Sequence, residues 1–553
     1  MPGFGFTPFG RRPFSTIIDL PLPATVASSA IATGIVFTVE IFPVSGTTIR
    51  VANVEFATRD TDSVPNMPFS GTLEKPLRHH RAIIDGSRIG GMSSGYGEIV
   101  INNPSGEYDA YANTLDGAHV IVRMGQAGAS FDTFVKLYDG LVDGAATVDE
   151  ETLTLHLYDD NKRLEIPAQP NVYGGTGGID GDANVKGKRK PVLLGTASNV
   201  TALLIDATNL VYQYHDGAVE FVYFVYDRGV ALLANSTPDY ASYAALTAAT
   251  ITPGRYATCK ALGIFRLGAK PDGLVTVTGT GAVYNGLVAN PQGLALGSTL
   301  QGTSVLVHYL LSISTANVVV DFGSVISTYT AQPAPIGYFI GPDDNKTLRQ
   351  AIDDLTNGIL AWAGFRRDRT FDMGLVALPG TVPLASYTGD GTGVDFFTLR
   401  QVPLPSGMSP PPYRIRAAYS RNWTVQTDID ATVDAGTQTL RKDQYSIAVS
   451  TNASLSASIQ AAHPQAQDID VWPSWFVNSS DAVTFCNSVL TLFGGATRIL
   501  CEIDVPADAY ALNIGNPIQV TDTRYGLSGG KMLTIVSIDD DTAEEQAIVQ
   551  AIG

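Results

Sequence analysis

Positive charge is scarce in this sequence. Against 53 Asp and Glu stand only 35 Lys and Arg, a net charge of −18 at pH 7. A surface that grips nucleic-acid phosphates is basic. An acidic chain that meets DNA repels it, which favours sliding over gripping. Charge of either sign is thin at 16% of residues, while apolar residues reach 44%, and this excludes a disordered chain. It also leaves a surface short of charge, which is either covered by neighbours in an assembly or solvated by Ser, Thr, Asn and Gln instead.

Cysteine is nearly absent. Cys259, Cys486 and Cys501 are odd in number and far apart, so no disulfide framework is implied. No CxxC pair occurs, and a structural zinc or an iron–sulfur cluster needs about four ligands. Buried, inert thiols are the expectation. Long apolar runs are missing as well. The start, MPGFGFTPFGRRPFSTIIDLPLP, follows Arg11 and Arg12 with no continuous apolar segment and does not read as a signal peptide. PATVASSAIATGIVFTVEIF is too polar for a membrane span. The expectation is a soluble product with an extended N-terminal arm and no stable membrane insertion.

Catalytic and ligand-binding motifs are also lacking. The stretch YGGTGGIDGDANVKGKRKP resembles a phosphate loop, but Gly181 and Gly187 have five residues between them and Lys188 is followed by Arg189. The loop needs four intervening residues and a hydroxyl after the lysine. A flexible connector fits better, with the basic knot Lys186 to Lys190 solvated or paired with acidic neighbours. His79 and His80 are adjacent; on a strand they point to opposite faces and cannot easily share a metal. His119, His156, His215, His308 and His463 stand apart, without an H-E-x-x-H or G-x-S-x-G pattern. DDNKTLRQAIDD fails as a calcium loop because Leu348 and Asp354 occupy the positions that require Gly and Glu. The pair Trp472 and Trp475 could floor a sugar site, but packing around Pro473 explains it equally well. No catalytic, cofactor-binding or metal-binding residue is therefore assigned, no cofactor is expected, and the chain is expected not to be an enzyme.

What is present is punctuation and alternation. With 55 Gly and 31 Pro, stretches such as TIRVANVEFAT, GEIVINN, HVIVRMG and TLTLHLYD read as short strands. A chain of 553 residues exceeds one ordinary core. The expected fold is mainly β and multi-domain. Residues 1–35 form the arm and 36–168 a first barrel-like block. Residues 169–190 form the Gly/Lys-rich linker and 191–335 an accessory β-rich block. Residues 336–402 form an α+β segment with a helix over 346–363. In that helix Leu348, Ile352, Leu355, Ile359 and Leu360 recur at helical spacing, Asp343 and Asp344 suit its start, and Arg366 and Arg367 suit its end. A Pro-rich linker spans 403–414, and a last block with the helix SSDAVTFCNSVLTLFG spans 415–553.

The densest acidic stretch, KLYDGLVDGAATVDEETLTLHLYDD over residues 136–160, first suggests a site. Its apolar residues alternate: Leu153, Leu155 and Leu157 face one way, Thr152, Thr154, His156 and Tyr158 the other. The pattern predicts an antiparallel pair with one buried face, the carboxylates lying at solvated tips where Asp favours turns.

YDGLVDGAATVDEETLTLHLYDDNKRLEIP resembles the first barrel of phage tail hub proteins. GEIVINNPSGEYDAY is similar to a strand-and-turn phrase of the same family. KGKRKPVLLGTASNVTALLIDATNLVYQYHDGAV is similar to a segment of tail proteins of phages and gene transfer agents, and LNIGNPIQVTDTRYGLSGGKMLTIVSIDDD resembles the closing barrel. The order of these phrases along residues 80–553 carries the resemblance more than any one of them. It implies a structural tail-tip or baseplate hub of the virion, built of two small hub-type β-barrels plus accessory domains, one barrel in 36–168 and the other from parts of 340–553. It implies a homotrimer that joins tail tube, distal tail and tape measure proteins to tip or fibre proteins. It also implies assembly in the host bacterial cytoplasm and DNA passing through a channel without specific binding. The alternative is a β-rich particle-borne or secreted glycan or cell-wall hydrolase.

Overall fold

The computed structural model describes residues 34–553 apart from 86–87, 95–96, 145, 283–300, 390–394, 406–407, 496–497, 507–509, 511 and 543–545. The expected arm lies almost wholly outside the described residues. Strands hold 40% of the chain and helices 19%, which makes it mainly β.

The first sheet has four antiparallel strands in the order Ile49–Ala52, Ile35–Phe42, His119–Gln126, Val135–Leu141. Ile35–Phe42 is buried on both faces. Phe37, Val39 and Ile41 enter the main core, while Val36 packs into a satellite cluster with Phe69, Phe131 and Phe134. The second sheet joins the two ends of the sequence. Its order runs Thr147–Val148, Thr152–Leu157, Gly97–Asn102, Leu73–Asp85, Lys531–Asp541, Gln546–Ile552, Leu500–Pro506, Thr398–Val402. The 13-residue strand Leu73–Asp85 changes partners along its length: Gly97–Asn102 at its start, Lys531–Asp541 over Arg78 to Ala82, and Arg88–Ser94 at its end. A bridge from Val142 to Leu157 ties the first sheet to the second. Ile41, Leu155, Leu348 and Ile538 consequently share one continuous core.

The acidic stretch keeps the expected antiparallel pairing only at its base, where Val142 bridges Leu157 and the Tyr158 N–H donates to the Leu141 carbonyl at 2.7 Å. Val135–Leu141 pairs with His119–Gln126, and the hairpin is the shorter one between Thr147–Val148 and Thr152–Leu157. The burial reading holds: Leu153, Leu155 and Leu157 are at most 3% exposed. Asp149 builds the turn, its Oδ1 accepting from the backbone N–H of Glu151 and Thr152 at 2.9 and 2.6 Å. The carboxylates do not all sit at wet tips. Asp139 pairs with Lys136 and His119, and Asp160 is buried against Arg369 and Arg163.

The middle block holds two five-stranded sheets with separate cores. The first half of Val192–Thr201 pairs with Gly337–Ile340 and the second half with Val275–Ala282. Gly195 makes the switch at φ +61°, with the Ile336 carbonyl so close that a Cβ would sit 1.9 Å from its oxygen. Residues 169–190 are not a loose connector. Tyr173 and Val185 lie in the same core as Ile205, Val211 and Ile264, and Asp180 accepts from the Gly174 N–H and the Thr176 hydroxyl. Two helices in this region, Thr303–Ile313 and Phe322–Ala331, have no counterpart among the expected elements.

The helix expected over 346–363 is Leu348–Asn357, started by a Thr347/Gln350 capping box. It stops early because Leu360 turns the chain at φ +54° into the strand Ala361–Phe365. Asp343 and Asp344 precede the cap, and Arg366 and Arg367 lie beyond that strand rather than in the helix's last turn. The second expected helix is Ser479–Gly494, which buries Phe485, Cys486, Val489, Leu490 and Phe493. All three cysteines are free and buried, and burial pushes the Cys486 thiol up to about 12 and Cys501 to about 11.

Candidate functional site

Charged residues buried among apolar ones mark where this fold is pinned. Alternation along Leu73–Asp85 sends Leu77, His79, Arg81 and Ile83 inward, with Arg81 only 1% exposed. On the paired strand, Asp540 stands opposite His79 and is equally buried; directly opposed residues share a face of the sheet. A third group arrives from the turn after Ala361–Phe365. Arg367 approaches Asp540 with Nε at 3.0 Å and Nη2 at 3.2 Å. Its Nη2 also donates to the Leu512 carbonyl at 3.0 Å and its Nη1 to the Tyr510 carbonyl. Arg81 Nη1 donates to Asn513 Oδ1 at 3.1 Å. The Arg367 carbonyl accepts from the Asp139 N–H at 2.9 Å.

One buried cluster therefore links the first sheet, the long strand, the hairpin of Ala361–Phe365 with Thr370–Leu375, and the closing strands. Its electrostatics are cationic. Burial pulls the Arg81 guanidinium down to about 9, reinforced by Arg367 and opposed by Asp540. Burial holds His79 well below its ordinary value, with Arg81 and Arg367 adding to the effect, so its imidazole is neutral. Burial raises the Asp540 carboxyl, while Arg367 and Arg81 stabilise its anion. Arg366 takes the neighbouring Asp372 at 2.7 Å, which leaves Asp540 to serve Arg367 and Arg81.

A second polar knot docks the middle block on the last one. Asn199, in the left-handed region at φ +56°, donates to Asn422 Oδ1 at 2.7 Å and the Thr424 carbonyl at 2.6 Å. Its Oδ1 accepts from Arg441 and from Thr276, both at 2.5 Å. Thr201 and Thr424 share a hydroxyl contact at 2.8 Å.

Neither knot has the form of a catalytic centre. Arg81, Arg367 and Asp540 have no reactive nucleophile beside them, and among the described residues no group of three or more His, Cys, Asp or Glu is placed to hold a metal ion. His79 is buried and His80 lies on the other face of the strand, so the pair does not converge. Lys188 pairs with Asp343 at 3.1 Å and Lys190 lies over the Tyr173 ring, so those two residues of the basic knot make contacts within the chain. No helix among the described residues is long and apolar enough to cross a membrane. Sequence reasoning did not single out Arg81, Asp540 or Asn199, and gave Arg367 only the role of a helix-end cation. The available signal was RHHRAIID, whose charges interrupt an otherwise apolar strand.

No family model and no curated protein sequence matches the chain. Similar folds occur among solved structures. The 43 kDa tail protein of prophage MuSo2 from Shewanella oneidensis is 10% identical, with a TM-score of 0.38, covering 93% of this chain and 98% of its own. A tail protein from Neisseria meningitidis MC58 is 9% identical, with a TM-score of 0.39, covering 93% and 96%. A chain of the native gene transfer agent virion is 15% identical, with a TM-score of 0.36, covering 66% and 84%. These three are two tail proteins, one of them from a prophage, and a chain of a gene transfer agent virion.

Proposed function

We propose that the chain is a structural component of a phage-type tail, and within it the hub that joins the tail tube to tip or fibre proteins around the DNA path. The observation that carries this reading is the convergence of the hub-like phrases. GEIVINN and TLTLHLYD pair directly, and KMLTIVSIDDD, hundreds of residues later in the sequence, joins them in one sheet through Leu73–Asp85. The reading assigns one hub barrel to residues 36–168 and the other to parts of 340–553, with the middle block as the accessory domain. Buried Arg81, Arg367 and Asp540 then hold the two barrels in fixed relation, as a ring subunit requires. Exposed apolar residues, among them Phe221, Phe224 and Leu233, suit a subunit covered by neighbours, and closed rings are the common way to cover such surfaces. Net negative charge suits a channel that DNA passes without sticking.

Light scattering on the purified chain tests the reading, together with deletion of its gene and electron microscopy of the particles. A trimer, and particles that lack a tail tip when the chain is absent, are expected. A stable monomer that cleaves glycan would establish the hydrolase reading in its place.

A further inference from the structure

Three of the four tryptophan indoles meet the helix Leu348–Asn357 or its surroundings, and two of them stack. Trp423 and Trp475 lie 5.5 Å apart with 17° between their planes, and Tyr338 stands edge-on to both. The Arg421 guanidinium lies over both indoles, 4.8 and 5.0 Å from their centroids. Arg421 has no carboxylate partner among the described residues, and its buried Nε has no hydrogen-bond partner there. Asp354, whose charge acts on Arg421, is already engaged by Lys346, whose Nζ also reaches the Tyr338 hydroxyl at 2.8 Å. A cavity of about 480 Å³ opens beside this cation. Leu203, Phe339 and Trp423 give it an apolar wall, and Asp343 and Asp344 give it a rim of hydrogen-bond acceptors.

We propose that this cavity binds a small sugar bearing a carboxylate, an acidic monosaccharide. A half-desolvated guanidinium without a partner calls for an anion, and its planar fork matches a carboxylate bidentately. Asp343, held by Lys188 at 3.1 Å, and Asp344, which accepts from the Gly341 N–H at 2.7 Å, keep acceptor oxygens for hydroxyl groups, which a sugar supplies and a simple carboxylic acid does not. The apolar wall suits the C–H face of a ring, and the volume lies in the range of small-ligand sites. A neutral sugar leaves Arg421 unpaired in the closed site, so discrimination rests on that residue. The proposal stands independently of the tail reading.

The test titrates the full chain with glucuronate, glucose and benzoate, followed by calorimetry and tryptophan fluorescence. Saturable glucuronate binding is expected, with glucose weaker by about tenfold or more, as loss of a charge-assisted pair implies. Arg421→Gln should abolish binding in a chain that still folds, with at most a modest fall in melting temperature, since Arg421 holds no ion pair and loses only its stacking over Trp423 and Trp475. Arg421→Lys should keep part of it, and Asp343→Asn with Asp344→Asn should lower the affinity for glucuronate relative to benzoate, because the lost repulsion favours both carboxylates alike while only the sugar loses its hydroxyl acceptors. Tighter binding of a glucuronate-terminated oligosaccharide would identify a glycan end as the source. Equal binding of glucose, binding of benzoate alone, unchanged binding by Arg421→Gln, or no binding at all would each overturn the proposal.

Discussion

Asp540→Asn isolates the charge that the central cluster depends on. The substitution keeps the side chain's shape and one acceptor oxygen, and removes only the anion that faces Arg367 at 3.0 Å and lies near Arg81. At that distance and an effective dielectric of about 20, a unit pair attracts by about 5.5 kcal/mol before desolvation is counted. Removing one partner of a buried pair costs about 3–5 kcal/mol, because the other charge stays buried without compensation. Here the uncompensated positive charge belongs to two guanidiniums, Arg367 at 9% and Arg81 at 1% exposure. The retained hydrogen bond to Arg367 puts the expected loss near the lower end, about 3 kcal/mol. Urea unfolding at pH 7 followed by tryptophan fluorescence reads it as a lower midpoint at unchanged slope. A cycle with Arg367→Met separates pair from packing: the double variant should recover more than half of the loss. A midpoint within error of the parent for Asp540→Asn, or strictly additive losses in the cycle, would refute the claim that this pair pins the closing strands to the rest.

Three further outcomes follow from the same geometry. Replacing Asp149, Glu150 and Glu151 by Asn, Gln and Gln should cost less than about 1 kcal/mol in thermal unfolding, since an asparagine side chain in the turn can still accept the two N–H groups; Leu155→Asp should prevent folding by burying an unpaired charge, read as loss of soluble, dichroic protein. His215 is buried and neutral, accepting from the Leu193 N–H at 3.0 Å, with burial holding it at about 4. Its folded value is depressed, so its contribution is intact above about 6.5 and lost as pH falls toward 4, about 3 kcal/mol in all; stability against pH should be flatter over that window in His215→Gln than in the parent. Gly195→Ala should cost at least about 2 kcal/mol, because it combines a left-handed φ with a Cβ 1.9 Å from the Ile336 oxygen; a calorimetric midpoint equal to the parent's would contradict the strand switch described there.

Periodic features were legible in the sequence because a local rule decides them. Ser479–Gly494 matches its sequence pattern residue for residue, and the alternation of Leu153, Leu155 and Leu157 foretold their burial. What failed was partner choice. The two halves of the acidic stretch look like a hairpin locally, yet Val135–Leu141 finds its ladder on His119–Gln126, a pairing decided by the whole core. Thr303–Ile313 was missed for a related reason: eight of its eleven residues are buried, so no polar stripe marks it as a helix. Leu360 matched the apolar repeat of the preceding helix and instead ends it, because a backbone at φ +54° leaves no trace in hydrophobic periodicity.

The central cluster was the least legible part, and its position explains why. Arg81 and Asp540 are 459 positions apart and come together only because Leu73–Asp85, paired with Gly97–Asn102 on one edge, takes Lys531–Asp541 on the other. A buried ion pair of this kind adds little net stability over an apolar pair of the same volume. What it adds is selectivity: a slip of one residue between these strands would turn Asp540 away from Arg367 and leave two buried cations unpaired. Apolar contacts alone tolerate such a slip far better. A chain whose first and last blocks must hold one fixed orientation, as a ring subunit does, gains from a register that only one pairing satisfies. The charge cluster and the proposed hub role are in that sense the same requirement, stated once in electrostatics and once in assembly.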